Sequence, residues 1–216
     1  MPFTFRCVLM FGSGKHVWKF YCLVPCSLLL GAFSGCSFAY AAPTAEQSAI
    51  IAEQTKLIEA NPKDWDALYK RARAYQKSGN LQAAKKDCIA VSLLNPSCQK
   101  NWILLMLVTY HLKEYEESVM ASRKAQTTGP SHQTFGGLEV SCLGLLGRNE
   151  ECLVRCDELL KSYPNYAELY FVRGNARADL HGDRSKFLQD FRSAMKLEPG
   201  NRRYQKAVML RQKEPQ

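Results

Sequence analysis

The sequence is poor in histidine, with four in 216 residues, and has no acidic residue before Glu46. With the first 41 residues set aside, the histidines are His111, His132 and His181, too far apart for the ligand spacing of a metal site. No pair of carboxylates, no nucleophile beside a base and no dinucleotide-binding glycine pattern stands out, so neither catalysis nor a cofactor is expected. Phe11-Gly-Ser-Gly-Lys15-His16 lacks the upstream glycine and the hydroxyl residue after lysine that a phosphate loop requires. Long basic runs are missing too, as are stripes of bases interleaved with aromatics, which argues against nucleic acid as a partner. The short clusters Arg71/Arg73, Lys85/Lys86 and Arg202/Arg203 suit a solvated surface, with contact to an anionic lipid or polyanion as the remote alternative.

The missing acids mark out a leader. Arg6, Lys15 and Lys19 precede an uncharged run from Phe20 to Ala45 whose apolar centre holds Leu23, Val24, Leu28, Leu29, Leu30 and Phe33. That is the pattern of an export signal, and Ala39-Tyr40-Ala41 before Ala42-Pro43 fits the small-x-small cleavage rule. Phe33-Ser34-Gly35-Cys36 also resembles a bacterial lipobox, in which Cys36 is lipidated and the leader is 1–35. Three outcomes stay open: cleavage after Ala41, lipidation at Cys36, or retention as a membrane anchor. Each exports the rest of the chain, residues 42–216, to the periplasm or cell envelope. Losing Arg6, Lys15 and Lys19 lowers the formal charge from +9 to +6.

What the chain does have is a period. Pro62, Pro96, Pro130 and Pro164 fall 34 residues apart, and Pro199 follows after 35. Between Trp65 and Pro96, Leu68, Ala72 and Tyr75 recur at helical steps, then Gly79-Asn80 breaks the pattern. Leu81, Ala84, Cys88, Val91 and Leu94 form a second apolar stripe that Pro96 ends. The unit is therefore helix, tight turn, helix, proline, and a lone hairpin of this size needs neighbours to bury its face.

This period and order of residues resemble the tetratricopeptide repeat, over about residues 45–201. The resemblance implies an all-α fold: a right-handed superhelical solenoid of antiparallel helix pairs with repeats at 65–98, 99–132, 133–166 and 167–201. A half-unit helix at 46–60 precedes them, with Thr44 and Gln47 at capping-box spacing and Ile50, Ile51, Gln54, Leu57 and Ile58 as its buried stripe. A capping helix at 202–213 follows, setting Tyr204, Ala207 and Val208 inward and Arg203, Lys206 and Arg211 outward. Arg71 and Arg173 stand where the family usually has Leu. The turn at Lys113-Glu114 lacks the glycine. The extra residue of the fourth unit falls within 181–185. Unit three departs most, with Gly136 in the Trp position, Glu139-Val140 in the Leu-Gly position, and Gly136, Gly137 and Gly144 weakening its first helix.

Five cysteines follow the leader: Cys88, Cys98, Cys142, Cys152 and Cys156. An odd number cannot all pair, and four of them occupy core slots, where cysteine acts as a small apolar filler. Export leaves room for a bridge from Cys142 to Cys152 or Cys156 within unit three.

Function then rests on surface. Family members bind peptides or partner proteins on the inner face, lined mainly by each unit's first helix. The helix around Trp102-Ile-Leu-Leu-Met-Leu-Val-Thr-Tyr110 is apolar nearly all round. One stripe, Trp102, Leu105, Met106 and Thr109, belongs to packing; the second, Ile103, Leu107 and Tyr110, would face the inner curve. Tyr69 and Arg73, Ser141, and the unit-four positions Phe171 and Asn175 would complete that face, with Gly137, Ser141 and Gly144 leaving room for a partner's apolar segment. The carboxylate clamp that chaperone-binding relatives use is absent, since its positions hold Tyr69, Arg73, Leu104, Thr134 and Leu138. The expectation is a non-catalytic scaffold resembling small exported bacterial envelope repeat proteins. A self-associating subunit, a homo-oligomer joined through solenoid ends, is the alternative. Membrane contact comes only through the leader's lipid or anchor.

Overall fold

Ten helices and no strand make up the residues described in the computed structural model, 44–180 and 182–213. They are α1 (Ala45–Ala60), α2 (Trp65–Lys77), α3 (Leu81–Leu94), α4 (Gln99–His111), α5 (Tyr115–Thr127), α6 (Gln133–Leu145), α7 (Asn149–Ser162), α8 (Ala167–Asp179), α9 (Arg184–Leu197) and α10 (Arg202–Lys213). Cys36, Ala41 and the rest of the leader, together with His181, lie outside the described residues. Helices pair in order, α2 on α3, α4 on α5, α6 on α7 and α8 on α9, and each pair packs on the next to form a solenoid. First helices begin at Trp65, Gln99, Gln133 and Ala167, and second helices at Leu81, Tyr115, Asn149 and Arg184. The extra residue of unit four thus falls between Asp179 and Arg184.

Local chemistry sets these ends. Asn61, Asn95, Tyr163 and Glu198 each precede a proline and lie outside the helical region, with φ of −141°, −139°, −130° and −132°. The proline ring excludes helical geometry from the residue before it, so the second helices stop there. Trp102 of unit two, Tyr170 of unit four and Gln205 of α10, at one register position that Gly136 leaves empty in unit three, donate to the carbonyls of Pro96, Pro164 and Pro199 at 2.8, 3.0 and 2.7 Å. Thr44 and Gln47 form the capping box of α1.

The tight turns close with a residue in the left-handed region: Gly79 (φ 80°), Lys113 (φ 63°) and Gly147 (φ 71°), again one register position. In unit two Lys113 N–H donates to Tyr110 and Glu114 N–H to Thr109, a helix-ending pattern that the fold imposes on a residue with a Cβ.

Between the helices of each unit lies a second register feature. Arg71 of α2 binds Asp87 of α3 through two hydrogen bonds of 2.8 Å, and Arg173 of α8 binds Asp190 of α9 at 2.7 and 3.2 Å. Unit three holds the same pair reversed: Glu139 of α6, fully buried, accepts from Arg155 of α7 at 3.1 Å and from Arg123 of α5 at 2.7 Å. Unit two has Leu105 and Ala121 there, both buried. One slot therefore takes a charge pair of either polarity or an apolar pair.

Three expectations are corrected. The glycines of unit three do more than weaken α6, because a Cβ on Gly136 would stand 2.6 Å from Leu159 and one on Gly137 2.5 Å from Tyr166. Their absence of side chain lets neighbouring elements close in. In α1, Leu57 is 45% exposed rather than part of a buried stripe. The outer side of α10 is not wholly polar, since Met209 and Leu210 are 64% and 55% exposed.

Arg71→Leu should cost about 3 kcal/mol in urea unfolding, because it strands Asp87 in the interior, and adding Asp87→Ala, the unit-two arrangement, should recover most of that loss. Lys113→Gly should raise stability by about 0.5–1 kcal/mol by relieving the left-handed backbone.

Candidate functional site

The first helices α2, α4, α6 and α8 each place the same register positions on one face, so the candidate residues form rows across it. Tyr69, Ile103, Gly137 and Phe171 make one row; Arg73, Leu107, Ser141 and Asn175 make another. Bulk in these rows is uneven, and that divides the face in two.

Over units one and two the face is open and apolar. Ile103, Leu107 and Tyr110 are half-buried, their inner sides packed on the core and their outer sides at the surface. Tyr69 and Leu138 flank them and are also half-buried. Tyr110 lies 6.0 Å from the Tyr115 ring, which extends the aromatic surface onto α5. Arg73 is exposed, its guanidinium 6.0 Å from the Tyr69 ring centroid. Burial pushes the Tyr69 phenol above its ordinary value, with Arg73 acting against it, and burial likewise raises Tyr110. Both are neutral hydrogen-bond donors at physiological pH. Leu145, at the end of α6, is 56% exposed.

Over units three and four the face is closed. Tyr166 fills the space beside Gly137, so the room expected there is taken. Ser141 donates to Glu168 at 3.3 Å, and Glu168 is held by Arg203 through contacts of 3.0 and 3.1 Å and by the Tyr204 hydroxyl at 3.0 Å. Phe171 is 7% exposed, 5.1 Å from the Tyr204 ring, with the Arg203 guanidinium 4.2 Å above its own. It belongs to the seat of α10 and is not an exposed contact residue. Asn175 is half-buried beside this cluster, and Gly144, whose Cβ would meet only Val172 at 3.9 Å, keeps its space.

Of the residues that sequence reasoning grouped, Tyr69, Ile103 and Leu107 pack on one core cluster, Arg73 lies over Tyr69, and Tyr110 packs on the second cluster. The same reasoning missed Leu138 and Tyr115 as flanking surface, and Tyr166 as the plug. The signal for the plug was present: bulk lost at Gly137 is regained at Tyr166, where the preceding units hold Cys98 and His132.

The five cysteines of the described residues are free, four of them buried as the apolar filler expected, and the bridge from Cys142 to Cys152 or Cys156 for which export left room is not formed. Their side chains serve different contacts: Cys142 meets the Ser118 hydroxyl of the preceding unit, whereas Cys152 donates to the Val140 carbonyl at 3.4 Å and neighbours Cys156 within α7. Burial pushes the Cys88 thiol from 9.0 to about 12.

Residues 54–86 match the family signature of the tetratricopeptide repeat. Among curated proteins, no sequence matches the chain. Among solved structures, a MamA protein superposes with a TM-score of 0.64 at 15% identity, over 74% of this chain and 86% of that one. YrrB, a tetratricopeptide-repeat protein with an unusual peptide-binding site, gives 0.59 at 19% identity, over 73% and 81%. TTC0263, a thermophilic repeat protein of Thermus thermophilus, gives 0.52 at 15%, over 77% and 90%. At these identities the likeness is one of fold.

Thiol mapping checks the burial pattern: alkylation of the native chain at pH 8 should modify Cys98, the half-exposed one, and leave Cys88, Cys142, Cys152 and Cys156 unmodified until urea is added. Because the Cys88 thiol is raised in the folded state, its contribution to stability is complete below pH 9.0 and is lost as pH climbs toward about 12.

Proposed function

We propose that this tetratricopeptide-repeat chain is a non-catalytic adaptor of the bacterial cell envelope, holding an apolar segment of a protein or peptide partner on the first-helix face of units one and two. The observation that carries the reading is the contrast along that face. Ile103, Leu107 and Tyr110 keep an open apolar strip where the fold could have closed it, as Tyr166 and α10 close the rows of units three and four. Contiguous exposed apolar surface on a soluble domain is usually occupied by a partner. Arg73 and the Tyr69 and Tyr110 hydroxyls at its margin would supply polar contacts that fix a segment's direction. Peptide binding by YrrB, a protein of the same fold, supports the reading. The envelope assignment rests on the uncharged apolar run from Phe20 to Ala45 and the small residues around Ala41.

A second reading, self-association through the solenoid ends, is favoured by the exposed Met209 and Leu210 of α10. A concentration-independent monomer in light scattering would remove it.

Affinity capture from the native membrane fraction tests the first reading. Ile103→Lys or Leu107→Lys should abolish capture while shifting the melting temperature by less than about 4 °C, because a lysine at a half-buried position can carry its ammonium to water. Undiminished capture, or unfolding of the domain, contradicts it.

A further inference from the structure

Each complete unit buries two slots of its second helix beneath its own first helix: Ala84 and Cys88, Ser118 and Ser122, Cys152 and Cys156, Phe187 and Phe191. By the same register α1 is a second helix, and its two slots hold Ile50 and Gln54. Among the described residues, however, α1 packs extensively on α2 alone. Ile50 is left half-buried, and Gln54, although only 6% exposed, has a buried amide oxygen without a hydrogen-bond partner. Beside these residues runs a groove of about 380 Å³ between α1 and α2, in the position that a first helix fills in every other unit.

The groove has a sign. Lys70, Arg73 and Lys77 line it from α2, with Glu46 its one carboxylate. Lys70 is paired with Asp66 at 2.6 Å, whereas Arg73 and Lys77 have no carboxylate partner among the described residues. Glu53 adds a second mark. It stands at the slot of Asp87 and Asp190, each of which is bound by an arginine from its own first helix, yet it is exposed and unpaired among the described residues.

We propose that this groove receives an acidic amphipathic helix from another protein, which completes the half-unit as its first helix. The apolar stripe of that helix would cover Ile50, a donor would satisfy Gln54, an arginine would meet Glu53, and carboxylates would meet Arg73 and Lys77. Two other occupants do not fit the charge. The α10 helix of a second copy carries Arg202, Arg203, Lys206, Arg211 and Lys213 with no acid, and residues 31–43 of this chain, which precede α1 in register, carry no charge. The site shares Arg73 with the margin of the strip on α4 but does not depend on the apolar residues of that strip.

In the neighbouring pair of first helices, Gly144 faces Val172, so the position of Gln76 on a first helix faces the position of Lys70 one unit on. A labelled peptide of residues 64–81, keeping Arg71 and carrying Q76E, K77E and N80E, is therefore the probe, with the unchanged sequence as control. Fluorescence anisotropy with the full chain should show the acidic peptide binding at least tenfold more tightly than the control. Arg73→Glu with Lys77→Glu in the chain should invert that preference, Ile50→Asp should remove both, and Leu107→Lys should change neither. Absence of binding, whether the groove is held by residues 31–43, by a second copy or by water, overturns the proposal. Equal binding of the two peptides, or loss of binding with Leu107→Lys, which would place the peptide on α4, overturns it as well.

Discussion

Everything in this solenoid hangs on the contact between the two helices of a unit, where the chains approach closely enough that volume is shared across the gap. In unit one Ala72 meets the Ala84 and Cys88 level of its partner; in unit two Met106 faces Ser118 and Ser122; in unit three Val140 faces Cys152 and Cys156. Unit four reverses the sizes, pairing Gly174 with Phe187 and Phe191, and a Cβ on Gly174 would stand only 2.7 Å from the Phe191 ring. Close packing tolerates such exchanges when the total is conserved. The polar groups at this level are satisfied, Ser118 by the Met106 carbonyl of its own unit at 2.9 Å and Ser122 by the Phe135 carbonyl on α6 of the next unit at 2.7 Å.

Just outside that contact lies the slot that holds Arg71 with Asp87, Glu139 with Arg155, and Arg173 with Asp190. Its pairs extend into the neighbouring units, through Arg123 and Gln126 onto Glu139 and through Asp157 onto Arg173 at 2.5 Å. Lys85 reaches Glu114 and Glu117 across the first junction at 2.8 and 2.7 Å. Buried ionic pairs of this kind contribute more to register than to net stability, and here they tie each unit to the next at a defined rotation. With the rotation set, the rows across the first-helix face follow, and so does the distinction between an open half and a closed half.

The fold was legible because its determinants are local and repeated. Prolines at a step of 34 stop the second helices, and apolar stripes at steps of three and four name the buried sides. The charge slot was legible in principle, as an opposite-sign pair spaced by 16 residues in units one and three and by 17 in unit four. Glu139 looked instead like a departure from the family pattern, because one residue viewed alone gives no hint that its partner has changed sign too. The open strip was read from the all-round apolar character of α4. Its closure beyond unit two was not, because it depends on Tyr166 crossing to Gly137 and on α10 laying Arg203 over Phe171, contacts between residues 29 and 32 positions apart. The choice left open for Cys142, apolar filler or a bridge to Cys152 or Cys156, turned on a similar contact: sequence distance places the three in one hairpin, while side-chain direction sends Cys142 toward Ser118 of the unit before.

The central claim is that recognition belongs to the open half of the first-helix face. Amide hydrogen exchange on the partner-bound chain tests it most directly, because it reports every helix at once and needs no substitution. The account predicts that the partner slows exchange in α2, α4 and the start of α6, with α8 and α10 unchanged. Protection confined to α5 and α7, on the opposite side of the solenoid, or spread evenly over all ten helices, would contradict it.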